Sequence, residues 1–229
     1  MSKIKCALLG MLTILAVCGI ASTSAHAADE PCSGSVWGLC LKEGAETELL
    51  FIAEEKVAFT SKGLGNSLLE VVEFITIECE ETTDTGEFTQ SLNLTADATA
   101  IVTTEFRKCK VTKPANCTVA EPIAIKNAKV KIGAEEAEEK LGINLKPEVT
   151  GGEFTTVNVK GEKCTVAGKS KVTGEITCHL DEFLQDLKEH SLLCLQTDTG
   201  MFFAEKKAIF ETNDDITLTL HELWSVDLI

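Results

Sequence analysis

Five stretches of the chain alternate apolar and polar residues with the two-residue period of a half-buried β-strand. In Val71-Val72-Glu73-Phe74-Ile75-Thr76-Ile77-Glu78-Cys79, the side chains of Ile75, Ile77 and Cys79 share one face. The same alternation recurs in Ala128–Ile132, Ile143–Leu145, Phe154–Val159 and Ile216–His221. Threonine is abundant in these runs, and β-branched residues suit a pleated, half-buried surface. Turn signals fall between them at Asp84-Thr85-Gly86, Lys113-Pro114-Ala115-Asn116, Gly151-Gly152, Lys160-Gly161-Glu162 and Asp198-Thr199-Gly200. Short strands punctuated this regularly predict a mainly β fold, an antiparallel sandwich or barrel.

Two stretches read as helical. Ala134–Lys140 is rich in Ala, Glu and Lys, but Gly133 and Gly142 hold it to a short element. Asp181–His190 opens with a capping-type Asp181 and places Phe183, Leu184 and Leu187 on one face, which predicts a short helix near 181–190. Leu223–Ile229, with Trp224, reads as a terminal strand. No repeat or linker divides the chain, so a single domain over 28–229 is expected, with a subdivision near residue 115 as the alternative.

The N-terminus has the three-part order of a secretory leader. Lys3 and Lys5 precede an uncharged apolar run, Cys6–Ala21, and a small polar region ends in Ala25-His26-Ala27. Residues 1–27 therefore read as a signal peptide cut before Ala28. The apolar run is shorter than the about 20 residues a spanning helix needs. Lipid attachment at Cys18 is the minor alternative, although Val17 is bulkier than such a site accepts. The destination expected is secreted or cell-surface.

Export changes how the cysteines read. Cys6 and Cys18 leave with the leader, and Cys32, Cys40, Cys79, Cys109, Cys117, Cys164, Cys178 and Cys194 remain as disulfide candidates. Close spacing suggests the pairs Cys32/Cys40 and Cys109/Cys117, leaving Cys79/Cys164 and Cys178/Cys194. There is no Cys-x-x-Cys pair to suggest zinc. Loss of Lys3 and Lys5 moves the net charge from −15 to −17. Such a surface repels phosphate backbones and anionic lipid headgroups, which disfavours nucleic acid and anionic membranes and leaves cations, basic proteins or neutral polymers as partners.

Several of these segments together form a pattern. Ile75-Thr76-Ile77-Glu78-Cys79 is followed by Thr85-Gly86-Glu87-Phe88, Phe106-Arg107-Lys108-Cys109, Asn116-Cys117-Thr118, Leu141–Pro147, Gly152-Glu153-Phe154 and Lys163-Cys164-Thr165-Val166. Over about residues 70–180 this resembles a group of secreted, β-rich, cysteine-containing hypothetical proteins of soil bacteria. The resemblance implies export and β architecture. It implies no activity and no site residue.

Candidate chemistry is sparse. His179, Asp181 and His190 are the one local set suited to zinc or acid–base work, but their spacing fits no HExxH-type motif. No Gly-x-Ser-x-Gly elbow is present. The acidic clusters Glu135–Glu139 and Asn213-Asp214-Asp215 lack the EF-hand pattern and read as solvated loop charges. No cofactor motif stands out. The expectation is an exported, non-enzymatic structural or binding module of the cell surface or extracellular space. The alternative is an extracellular hydrolase using carboxylates or the set His179, Asp181 and His190.

Overall fold

The computed structural model describes residues 37–43, 47–50, 56–89, 97–137, 140–182, 185, 187–196, 200–219 and 223–228. The leader read over 1–27, with Cys18, and the half-cystine candidate Cys32 lie outside these residues. The described chain is all β. In order the strands are β1 (Trp37–Glu43), β2 (Thr47–Leu50), β3 (Val57–Gly63), β4 (Ser67–Val71), β5 (Ile75–Thr89) and β6 (Thr99–Lys113). Then come β7 (Thr118–Val119), β8 (Ile123–Ala137), β9 (Lys140–Lys146), β10 (Glu153–Lys160), β11 (Gly168–Gly174) and β12 (Ile176–Asp181). The last five are β13 (Glu189–Gln196), β14 (Met201–Phe203), β15 (Lys206–Lys207), β16 (Ile209–Leu218) and β17 (Leu223–Leu228).

Antiparallel pairing runs β3-β5-β6-β8-β9-β12-β13-β16 and returns from β16 to β3, closing an eight-stranded barrel. Strand β4 follows β3 in the same slot: β3 pairs with Thr83–Phe88 of β5, and β4 with Ile75–Cys79. The β6–β8 pairing carries the sheet across residue 115. Two hairpins and β7 leave the barrel path and form a second sheet, β15-β14-β11-β10-β7. Its Val157, Val172 and Met201 line a small apolar space together with Ile77, Phe106 and Phe210 of the barrel. A third sheet, β17-β1-β2, carries Trp224, which is fully buried against Phe88. The terminal-strand reading of Leu223–Ile229 thus holds for Leu223–Leu228.

The inward positions follow the period-2 pattern, but not in one phase. On β5 the buried positions are Ile75, Ile77 and Cys79, then Thr82, Asp84 and Phe88. The slip falls opposite Lys108 of β6, whose φ is 53°. A similar slip on β8, from Ile125 to Ala128, spans Asn127 at φ 53°. Each left-handed residue twists the strand so that the opposite set of side chains turns inward.

Several expectations need correction. No helix is seen among the described residues of 181–190. Asp181 ends β12, Glu182 turns with φ 54°, and β13 has begun at Glu189. Leu187 exchanges both backbone hydrogen bonds with Trp224, at 2.8 and 3.1 Å. Pairing of Leu180 with Leu192 closes the β12–β13 hairpin, and burial of both strands outweighs a ten-residue helical preference. Gly133–Ala137 is likewise the end of β8, in a hairpin with β9. Asp84-Thr85-Gly86 is mid-strand, whereas Val72–Phe74 is the turn between β4 and β5. Gly86 marks a close approach, not a turn: a Cβ there would lie 2.4 Å from the Phe59 ring and 2.5 Å from the Ile101 carbonyl oxygen.

Three disulfides join described residues: Cys79–Cys109, Cys117–Cys164 and Cys178–Cys194. The Cys178/Cys194 pairing is as expected, and the bridge links directly opposed residues of β12 and β13. Cys109/Cys117 and Cys79/Cys164 are not formed. β6 continues in extended form to Lys113, which carries the chain roughly 13 Å past Cys109 and away from a local partner. Register instead sets Cys79 opposite Cys109. Cys117 then ties the loop before β7 to Cys164, beyond β10. The expected pair Cys32/Cys40 lies outside the described side chains.

Two outcomes follow from this packing. Gly86→Ala should destabilise the fold by about 1–3 kcal/mol in urea unfolding, because Phe59 and the β6 backbone leave no room for a methyl group; an unchanged midpoint would contradict the register. Under native conditions, Cys178–Cys194 should be the last of the three bridges to react with a thiol reductant. Cys178 is fully buried and Cys194 is 3% exposed, whereas Cys109 and Cys164 are partly exposed. Timed alkylation and peptide mass mapping give the order directly.

Candidate functional site

Barrel closure puts inward polar residues where water does not freely reach them. Apart from His190, every buried polar side chain among the described residues lies on one wall, made by β3, β4, β5, β6 and β16. Register builds this wall in rows. Ser61, Asp84 and Thr104 are lateral neighbours on β3, β5 and β6. On the next row Gly63 of β3 lies opposite Asp214 of β16, and Thr82 of β5 follows on from the Lys62–Thr83 pair. Thr212 and Ser67 face each other one row further.

Hydrogen bonds connect the rows. The Ser61 hydroxyl donates to Asp84 Oδ2, and Thr104 also bonds the Asp84 carboxyl. Thr212 donates to Asp214 Oδ2 at 2.9 Å. Ser67 shares hydrogen bonds with Thr82 and, at 3.0 Å, with Thr212. One acceptor is left over: Asp214 Oδ1 is buried and has no hydrogen-bond partner among the described residues. Gly63 leaves it space, since a Cβ there would sit 3.4 Å from that oxygen and 3.1 Å from Thr82 Cβ.

Both carboxyls are held above the ordinary carboxylate range. Burial raises Asp84, against hydrogen bonds from Ser61 and Thr104 that favour its charged form. Burial also pushes Asp214 up, with the Asp84 charge adding to it and the Thr212 hydrogen bond opposing, to about 7. Two acids that interact this way titrate as a pair, so the second proton leaves with more difficulty than the first.

The wall faces a cavity of about 60 Å³ lined from all eight barrel strands. That is room for roughly four or five water molecules. The opposite side is hydrocarbon, with Val130, Ile143, Leu145, Ile176 and Leu192. Phe59 and Phe88, with ring centroids 4.5 Å apart, line one part, and Phe106 and Phe210 meet edge to face at 6.0 Å in another. No Lys, Arg or His is among the lining residues.

The residues singled out from sequence lie elsewhere. Buried positions on β12 are Ile176, Cys178 and Leu180, so His179 and Asp181 are on its opposite face. His190 is buried on β13, where Nε2–H donates to the Trp224 carbonyl at 2.7 Å and the ring packs on Trp224 at 4.1 Å. Its Nδ1 is 3.4 Å from the Asp181 backbone carbonyl, not from the carboxylate. Among the described residues, no group of three His, Cys, Asp or Glu side chains is placed to hold a metal ion. Asp214 and Asp215 are not loop charges: they lie within β16, with Asp214 inward and Asp215 accepting a hydrogen bond from Ser191 at 2.8 Å. Sequence reasoning missed the wall by reading both Asp84 and Asp214 as loop or turn residues. One signal was present: Phe210, Thr212, Asp214, Ile216 and Leu218 keep a strict two-residue spacing.

A raised carboxyl pKa makes stability depend on pH in a fixed direction. Between about pH 4 and 7 the unfolded chain has lost the Asp214 proton and the folded chain retains it, so stability falls as pH rises and levels off above about 7. A shift from 3.8 to about 7 corresponds to at most about 4 kcal/mol. Asp214→Asn should therefore flatten the decline that the wild type shows between pH 4 and 8 in urea unfolding. Parallel curves for the two proteins would show that Asp214 is not held protonated by burial.

No family model, no curated protein and no solved structure matches the chain.

Proposed function

We propose that the protein is an exported, non-enzymatic binding module that takes up a small molecule inside its barrel, at the cell surface or outside the cell. The observation that carries this reading is the interior cavity faced by all eight strands, hydrocarbon on one side and acidic on the other. Eight strands is the size at which a barrel interior either fills with side chains or holds one small ligand. Small ligands are commonly held by an apolar lining with a few convergent polar groups. Three disulfides are consistent with an extracellular location, and the leader-like sequence of residues 1–27 supports the same route.

The hydrolase alternative draws its one favourable observation from Asp214, whose pKa of about 7 suits acid–base chemistry. Carboxylate-driven glycoside hydrolysis places a sugar and a water between the two acids. A space for a few waters does not admit them. The set His179, Asp181 and His190 offers no convergent site, because the His190 Nε2–H is committed to holding the C-terminal strand. Binding is therefore the preferred reading.

Two measurements test it. Expressed with its own N-terminus in an exporting host, the protein should be recovered outside the cytoplasm beginning at Ala28, with its mass rising on reduction. A full-length cytosolic product with free thiols would overturn export. Added n-butanol, a small neutral probe, should shift the methyl NMR signals of Val130, Ile143 and Leu192. Interior signals that stay fixed up to denaturing concentrations would overturn an interior binding site.

A further inference from the structure

The acidic wall is more than a folded core requires. Hydrophobic residues would fill these positions without the cost of burying two carboxyls. Asp84 and Asp214 face a cavity lined from every barrel strand, and no cationic side chain among the lining residues offsets them. Asp214 Oδ1 has no hydrogen-bond partner among the described residues, although its residue is only 2% exposed. A buried acceptor with no donor, beside open space, marks the place of a missing donor.

We propose that the barrel interior binds a small protonated amine, its ammonium group between Asp84 and Asp214 and its hydrocarbon part against Val130, Ile143, Leu145 and Leu192. This rests on the reading of the barrel as a receiving cavity and names the ligand class. An ammonium brings three N–H donors and one positive charge. One donor meets Asp214 Oδ1, and the charge replaces the proton that the acid pair otherwise keeps. The rings of Phe59 and Phe88 line the same space, and their faces attract a cation. A divalent metal ion fits poorly, because it needs six or more oxygens around it and the oxygens here lie on one side only. Anions are repelled. A neutral alcohol fills the space but leaves the second carboxyl without a counter-charge. The volume of about 60 Å³ limits the amine to about five heavy atoms, judged by the number of waters it could replace.

The test uses the mature, disulfide-intact protein, with n-butylamine as probe and n-butanol as its neutral counterpart of equal length. Binding is followed by the interior methyl signals and by the buffer dependence of binding heat. At pH 8 the amine should bind at least tenfold more tightly than the alcohol. Its affinity should fall roughly tenfold per pH unit below about pH 7, because a proton competes for the same carboxyl. Binding near pH 6 should release close to one proton. Asp214→Asn and Asp84→Asn should each bring the amine down to the affinity of the alcohol. If one variant does not fold, the other and the wild-type pH profile still decide. Equal affinity for both probes, or no pH dependence, would overturn the amine assignment and leave the receiving cavity intact. Displacement of the amine by millimolar sodium or potassium would also overturn it, in favour of a simple ion site. Failure of both probes to move the interior signals would overturn the cavity reading as well.

Discussion

The hydrogen bonds between β13 and β16, together with those between β16 and β3, govern the rest of the molecule. Without them the other seven barrel strands would be an open, twisted sheet with two unsatisfied edges and one wet face. With them the same strands enclose an interior, and every inward side chain must find its partners inside. That constraint explains why Phe210, Ile216 and Leu218 are core residues, and why Thr212 and Asp214 between them are tied to neighbours.

The ends of the enclosed space are handled differently. At one end Val157, Val172 and Met201 of the second sheet share an apolar lining with Ile77 and Phe210 of the barrel. At the other, Trp224 fits against Phe88 and is held by polar contacts: its carbonyl accepts from His190, and its indole N–H donates to the Lys188 carbonyl at 3.3 Å. His190 is thus a fastener for the last strand, which accounts for its burial better than acid–base chemistry does. The disulfides reinforce the layout. Two of them join adjacent barrel strands, and Cys117–Cys164 fixes the β7–β10 region of the second sheet.

Between these closures lies the acidic wall, where stability and the proposed binding pull in opposite directions. Burying Asp84 and Asp214 costs free energy, and the protein offsets it in part with hydroxyls from Ser61, Thr104 and Thr212 and in part by retaining a proton. Proteins keep such local conflicts mainly where function uses them. On the binding reading proposed above, one charged side and one hydrocarbon side would discriminate by charge and by shape at once, which neither side achieves alone.

Alternation of apolar and polar residues by itself determined the β class and marked parts of β5, β8, β9, β10 and β16, because side chains in an extended chain point to opposite faces at every step. The Cys178/Cys194 pair was expected only as part of what the closely spaced cysteines left over, and the apolar tail with Trp224 read as a strand. Alternation did not determine which face is inside. The run Ile75, Ile77, Cys79, continued in one phase, puts Asp84 on the outer face; the change of phase between Cys79 and Thr82 puts it on the inner one. Likewise 181–190 carries a helical pattern that the pairing of Leu180 with Leu192 overrides. The cavity, the meeting of Asp84 with Asp214 and the pairing of Cys79 with Cys109 were decided by tertiary structure alone. Each depends on residues far apart in the chain becoming neighbours, and a local pattern holds no information about which distant strand will lie alongside.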